Sequence, residues 1–140
     1  MNESILKLAP KGVWEEFKGI LNVPRPSKKE EKMVAYLEKW AKDHKIEYIK
    51  EKCGNIIMNV PATKGMEDRA IIVLQAHMDM VCEKNSDKVH DFEKDPIEAV
   101  IKGDWVHANG TTLGADDGIG VAYELAVLDS AWSIRMHLHR

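Results

Sequence analysis

The sequence predicts an α/β fold, a mixed sheet with helices on its faces, and three observations carry that prediction. An almost unbroken apolar run, Ile71–Ala76, follows the polar segment Met66–Arg69 and reads as a strand buried on both faces, the kind found mainly in parallel or mixed sheets under helices. Two segments upstream carry apolar residues at helical spacing. A third, from Ile119 to Leu128, is apolar on nearly every side with only Glu124 charged, which describes a helix enclosed by other layers.

The elements follow in order. Val13, Phe17, Ile20 and Leu21 fall at i, i+4, i+7 and i+8, so a first helix runs from about Pro10 to Leu21. Proline suits a first turn, and Pro24 and Pro26 end the element because neither supplies a backbone donor. Ser27 and Glu30 have capping-box spacing and open a second helix. Its stripe of Met33, Val34, Leu37, Trp40 and Ala41 reads as core, ending near His44. Residues 46–50 and 56–60 read as a hairpin turning through Cys53, Gly54 and Asn55. The buried strand follows, then an aperiodic polar stretch from Met80 to Pro96 that reads as an extended surface loop, with His90 a surface histidine. Residues 97–102 and 105–108 form a second hairpin around Gly103 and Asp104, with Trp105 as a packing residue.

Composition sets the class. The chain has 140 residues, 44% hydrophobic and 31% charged, which suits one soluble globular domain. A formal net charge of −3 with mixed signs offers nothing to nucleic acid or an anionic membrane. The two cysteines, Cys53 and Cys82, match no Cys-x-x-Cys pattern and read as free thiols in a reducing compartment. The N-terminus has no apolar run of signal-peptide length, and no stretch reaches the roughly 18 apolar residues of a membrane span. The expected location is the cytoplasm.

Two stretches carry chemistry. The core strand runs into His77 and Asp79, an i, i+2 pair whose side chains share one face. An imidazole and a carboxylate at a strand end make half of a metal site. On this pattern alone, a strand running into a polar loop is the more economical reading. The second stretch, Gly110–Gly120, sets Asp116 and Asp117 in a glycine-rich turn that opens a helix. Glycines permit the backbone to turn a carboxylate inward, and aspartate is also a good helix cap. A cap at Asp117 and a ligand at Asp116 stand level as readings of the spacing.

Taken together, residues 77–85, 90–97 and 110–120 closely resemble the aminoacyl-histidine dipeptidase family. This family of dinuclear zinc peptidases includes peptidase D, or cytosol nonspecific dipeptidase, and is related to peptidase T, peptidase V and carboxypeptidase G. Three long motifs in the right order make the match specific, and it covers about residues 5–129. It implies an incomplete zinc-peptidase catalytic domain over residues 1–129, hydrolysing dipeptides such as Xaa-His by a water activated between two metal ions. By resemblance, His77 is a terminal zinc ligand, Asp116 the bridging carboxylate, and Asp79 the acid that holds the imidazole in orientation. Manganese or cobalt would also suit a histidine–carboxylate shell. Asp117 departs from the family, where asparagine is usual.

The resemblance stops after Asp129, and residues 130–140 read as a disordered tail outside the family. His137 and His139 within it form a His-x-His. The family's Glu-Glu pair, whose first member is the general base, has no counterpart here, nor have its further acidic ligand, its small second domain and its late histidine. A truncated product, of a frame shift after Leu128 or Asp129, is the expectation. With a dipeptide as substrate in the full-length family, the chain alone is expected to be inactive. The alternative is a non-catalytic remnant, or a complementing fragment that binds metal weakly or a partner chain. An incomplete sheet also implies self-association through exposed sheet and helix surfaces.

Overall fold

Seven regular elements follow a short 3₁₀ turn at Glu3–Lys7 in the computed structural model, which describes residues 2–138, with side chains described as far as Ser130. They are α1 (Lys11–Leu21), α2 (Glu31–Asp43), β1 (Glu47–Lys50), β2 (Ile56–Asn59), β3 (Ala99–Lys102), β4 (Trp105–Ala108) and α3 (Ala115–Leu138). The α/β class stands, and so does its incompleteness. Among the described residues the expected mixed sheet is represented by two separate antiparallel pairs, β1–β2 and β3–β4.

The helices form where their apolar stripes predict. Val13, Phe17, Ile20 and Leu21 of α1 are all buried, and α1 packs against α3 through Val121, Ala122 and Leu125. From α2, Met33, Leu37, Trp40 and Ala41 join the same cluster. Trp40 keeps its indole N–H satisfied on Glu16 Oε2 at 3.0 Å, as a half-buried polar tip requires. The N-terminus is pinned by Asn2, which sequence reasoning passed over. Its side-chain amide donates to Ile97 O at 2.9 Å and accepts from Ala99 N at 2.7 Å, standing in for a strand neighbour at the edge of β3.

Both hairpins hold their expected positions, in the registers Tyr48 to Met58 and Val100 to His107. Trp105 corrects its expectation. It is 73% exposed, because β4 alternates and turns Val106 and Ala108 inward in its place. His90 is not a free surface residue either: its Nε2 is enclosed without a hydrogen-bond partner, and its ring meets Phe92 edge-on at 4.5 Å.

The largest correction concerns the core strand. Residues 70–79 form no regular element and belong to no ladder, and Ile71, Ile72 and Val73 are 92%, 83% and 81% exposed. A strand exists only through its neighbours' hydrogen bonds, and no described strand lies beside this one. The enclosed helix fares similarly. One face of α3 is covered, while Tyr123 and Val127 on the other are half exposed. Its backbone continues as helix to Leu138, past Ser130 where a disordered tail was expected. The side chain of His137 and all of His139 lie outside the described residues.

Candidate metal centre

The site is assembled by three segments: the turn Pro24–Ser27 between α1 and α2, residues 77–79 before Met80, and the glycine-rich entry to α3. A parallel bridge between Pro26 and Met80 and the bond from Met80 N to Arg25 O at 3.0 Å join the first two.

Arg25 is the centre of this junction. It is 1% exposed, and its guanidinium donates to Met78 O at 3.2 Å, Asp79 O at 3.0 Å and Gly114 O at 2.6 Å. Burial pulls its pKa down to about 10, with the Asp79 charge opposing the shift. Gly114 is required twice over. Its φ is +66°, and a Cβ there would lie 2.5 Å from the Arg25 guanidinium.

Ser27 also departs from expectation. It does not cap α2, which begins at Glu31 without a side-chain cap. Its hydroxyl donates to Asp79 Oδ2 at 2.5 Å, and Glu30 accepts instead from the backbone N–H of Lys28. The capping-box spacing was real, but both side chains found other partners.

The structure brings all three predicted site residues together. His77 Nδ1 lies 2.9 Å from Asp79 Oδ1, and His77 Nε2 lies 3.0 Å from Asp116 Oδ1. Asp116 is almost fully exposed, while His77 is half exposed. Asp116 and Asp117 depart from helical backbone angles at the head of α3, and the peptide joining them is cis. The His77 contacts go to Asp79 and Asp116, not to Asp117.

The charge arrangement is informative. A neutral imidazole has one N–H, so with Nδ1–H directed to Asp79 its Nε2 lone pair would face the Asp116 carboxylate. Two acceptors at 3.0 Å repel, and a positive species between them removes the conflict. In the chain alone a proton can play that part. The hydrogen bond to Asp116 raises the His77 pKa above its ordinary 6.5, burial opposes it, and the Asp79 hydrogen bond adds to the rise. The Ser27 hydroxyl, and then His77, hold the Asp79 pKa below 3.8.

A pH dependence follows. Stability from His77 is complete below its unfolded pKa and is lost as pH rises through the raised folded value. Stability from Asp79 is present above its unfolded pKa and is lost as pH falls through the depressed one. The cluster should thus contribute most between about pH 4 and 6.5. Urea denaturation at pH 5.5 and 8.5 should show a larger fall in stability across this range for the wild type than for His77→Gln.

In type and spacing, His77 Nε2 and Asp116 Oδ1 fit one divalent cation, since tetrahedral donors about 2.0–2.2 Å from a metal sit roughly 3.3 Å apart. In number they fall short. Among the described residues no three His, Cys, Asp or Glu side chains gather as a metal shell.

No family model matches the chain. The cytosol non-specific dipeptidase of Escherichia coli is 52% identical over 122 residues, which is 87% of this chain and 25% of that protein. The crystal structure of aminoacylhistidine dipeptidase from Vibrio alginolyticus superposes with a TM-score of 0.86 at 48% identity, over 89% of this chain and 25% of that one. A Staphylococcus aureus tripeptidase gives 0.65 at 16% identity, over 90% and 33% of the two chains, a likeness of fold alone. The chain thus spans about a quarter of the length of the dipeptidases it matches, and over that quarter, in sequence and in fold, it is similar to the N-terminal part of aminoacylhistidine dipeptidase.

Proposed function

We propose that this chain carries the first part of a metallodipeptidase centre, in which His77 Nε2 and Asp116 take a divalent cation and Asp79 orients the imidazole. One observation supports it above the others: an imidazole nitrogen and a carboxylate oxygen face each other across 3.0 Å, with the second ring nitrogen already committed to Asp79. Zinc is the preferred ion, and manganese or cobalt would also be accepted. Such an ion polarises a scissile carbonyl and lowers the pKa of bound water. The chain's own residues contribute alignment: Asp79 fixes the tautomer that leaves Nε2 free to ligate, and Ser27 holds Asp79. The reaction class is hydrolysis of small dipeptides, Xaa-His among them, in the cytoplasm; no described helix is long and apolar enough to cross a membrane.

Two donors are fewer than the three that a catalytic zinc takes from protein, so the chain alone should bind Zn²⁺ weakly and leave an Xaa-His dipeptide uncut. Calorimetric titration with Zn²⁺ and a hydrolysis assay test this. His77→Ala should weaken Zn²⁺ binding at least about tenfold, the lower end of what disturbing a metal's protein shell costs. Unchanged affinity in that variant would overturn the ligand assignment. Turnover by the unassisted chain, lost in His77→Ala, would make it an enzyme in its own right.

The second reading is a non-catalytic remnant, or a fragment that becomes active only with a separately supplied C-terminal piece. The exposed stretch Ile71–Leu74 favours it. Adding a C-terminal fragment of the E. coli relative to the same assay separates the two forms.

A further inference from the structure

Arg25 and Ser27 lie on one turn, and between them they reach both halves of the candidate centre. The Arg25 acceptors belong to the two segments that bear the donors: Met78 and Asp79 adjoin His77, and Gly114 lies two residues before Asp116. A planar guanidinium presents its N–H groups in a fixed fork, so three carbonyls held at once set the spacing between those segments. Gly114 and Gly118 leave the room this requires, since a Cβ on either would lie 2.5 Å from the guanidinium. Ser27 acts on the side chains. Its hydroxyl takes Asp79 Oδ2, leaving Oδ1 to meet His77 Nδ1.

We propose that Arg25 and Ser27 are positioning residues for the His77–Asp116 pair, Arg25 by clamping the backbone of both segments and Ser27 by orienting Asp79. The metal consequence rests on the ligand reading above; the alignment of His77 does not.

The test has two readouts on the intact chain. Imidazole ¹⁵N shifts at pH 8 without metal report the His77 tautomer, and visible absorption during Co²⁺ titration reports affinity. Wild type should show one dominant His77 tautomer, held by the two carboxylate contacts. Ser27→Ala and Arg25→Lys should each give mixed tautomers and weaken Co²⁺ binding about 10- to 100-fold, while Ser27→Thr, which keeps the hydroxyl, should restore both. Circular dichroism monitors folding. Ser27 is exposed, so its alanine variant should stay folded even if Arg25→Lys does not. Gly118→Ala supplies the alternative probe of Arg25: it suits a helix, yet should displace the guanidinium and mix the tautomers. A wild-type tautomer in folded Ser27→Ala, or in folded Arg25→Lys or Gly118→Ala, overturns the proposal. If wild type binds no Co²⁺, the ligand reading fails and the tautomer alone decides the positioning roles.

Discussion

Phe17→Ala should lower the stability of the chain by about 3–5 kcal/mol, the usual cost of deleting a buried aromatic ring. Phe17 is 1% exposed in the middle of α1 and meets Trp14 edge-on, with ring centroids 6.0 Å apart. It belongs to the cluster through which α1 holds α3, and the entry to α3 carries Asp116. Small domains have about 5–15 kcal/mol in total, so one such cavity removes a large part of it. The cost should reach the site as well, because α3 packs chiefly against α1. Urea denaturation followed by tryptophan fluorescence measures the change. A loss under about 1 kcal/mol would mean that this contact is not what holds the fold.

The second large effect is expected at the surface. Replacing Ile71 and Val73 together by lysine should shift the chain from a concentration-dependent oligomer toward monomer. These residues stand at i and i+2 in a segment with no described ladder partner, and both are more than four-fifths exposed. Exposed, unpaired and apolar is the description of an edge that recruits another strand, and lysine there is how natural sheets prevent it. Burying each side chain contributes about 1.5–3 kcal/mol, so losing both should weaken association well beyond tenfold. Sedimentation velocity over a concentration series reads this directly. A wild type that stays monomeric at every concentration would exclude self-association through this segment.

The errors in reading the sequence share one origin. Ile71–Ala76 has the composition of an interior strand, yet it joins no described ladder. Whether such a segment is interior depends on neighbours that its own pattern does not encode. Trp105 departs from its expected packing role for a related reason, since alternation along β4 places one face inward and the residue's size does not choose which. Ser27 and Glu30 show a local signal that was present and outcompeted. The serine hydroxyl had a stronger acceptor in Asp79, which is 52 residues away in the chain.

By itself the sequence determined what depends on residues a few positions apart. It set α1 and α2 through apolar periodicity, both hairpins through their turns, and the identities of His77, Asp79 and Asp116 through the motifs that contain them. Only the tertiary structure decided that His77 and Asp116 meet, that Asp79 is held by Ser27, and that a buried Arg25 joins the two segments. Those contacts span 39, 52 and up to 89 residues. A periodic stripe reports the face an element must bury. Which distant group will share a hydrogen bond is settled only when folding brings the two within 3 Å.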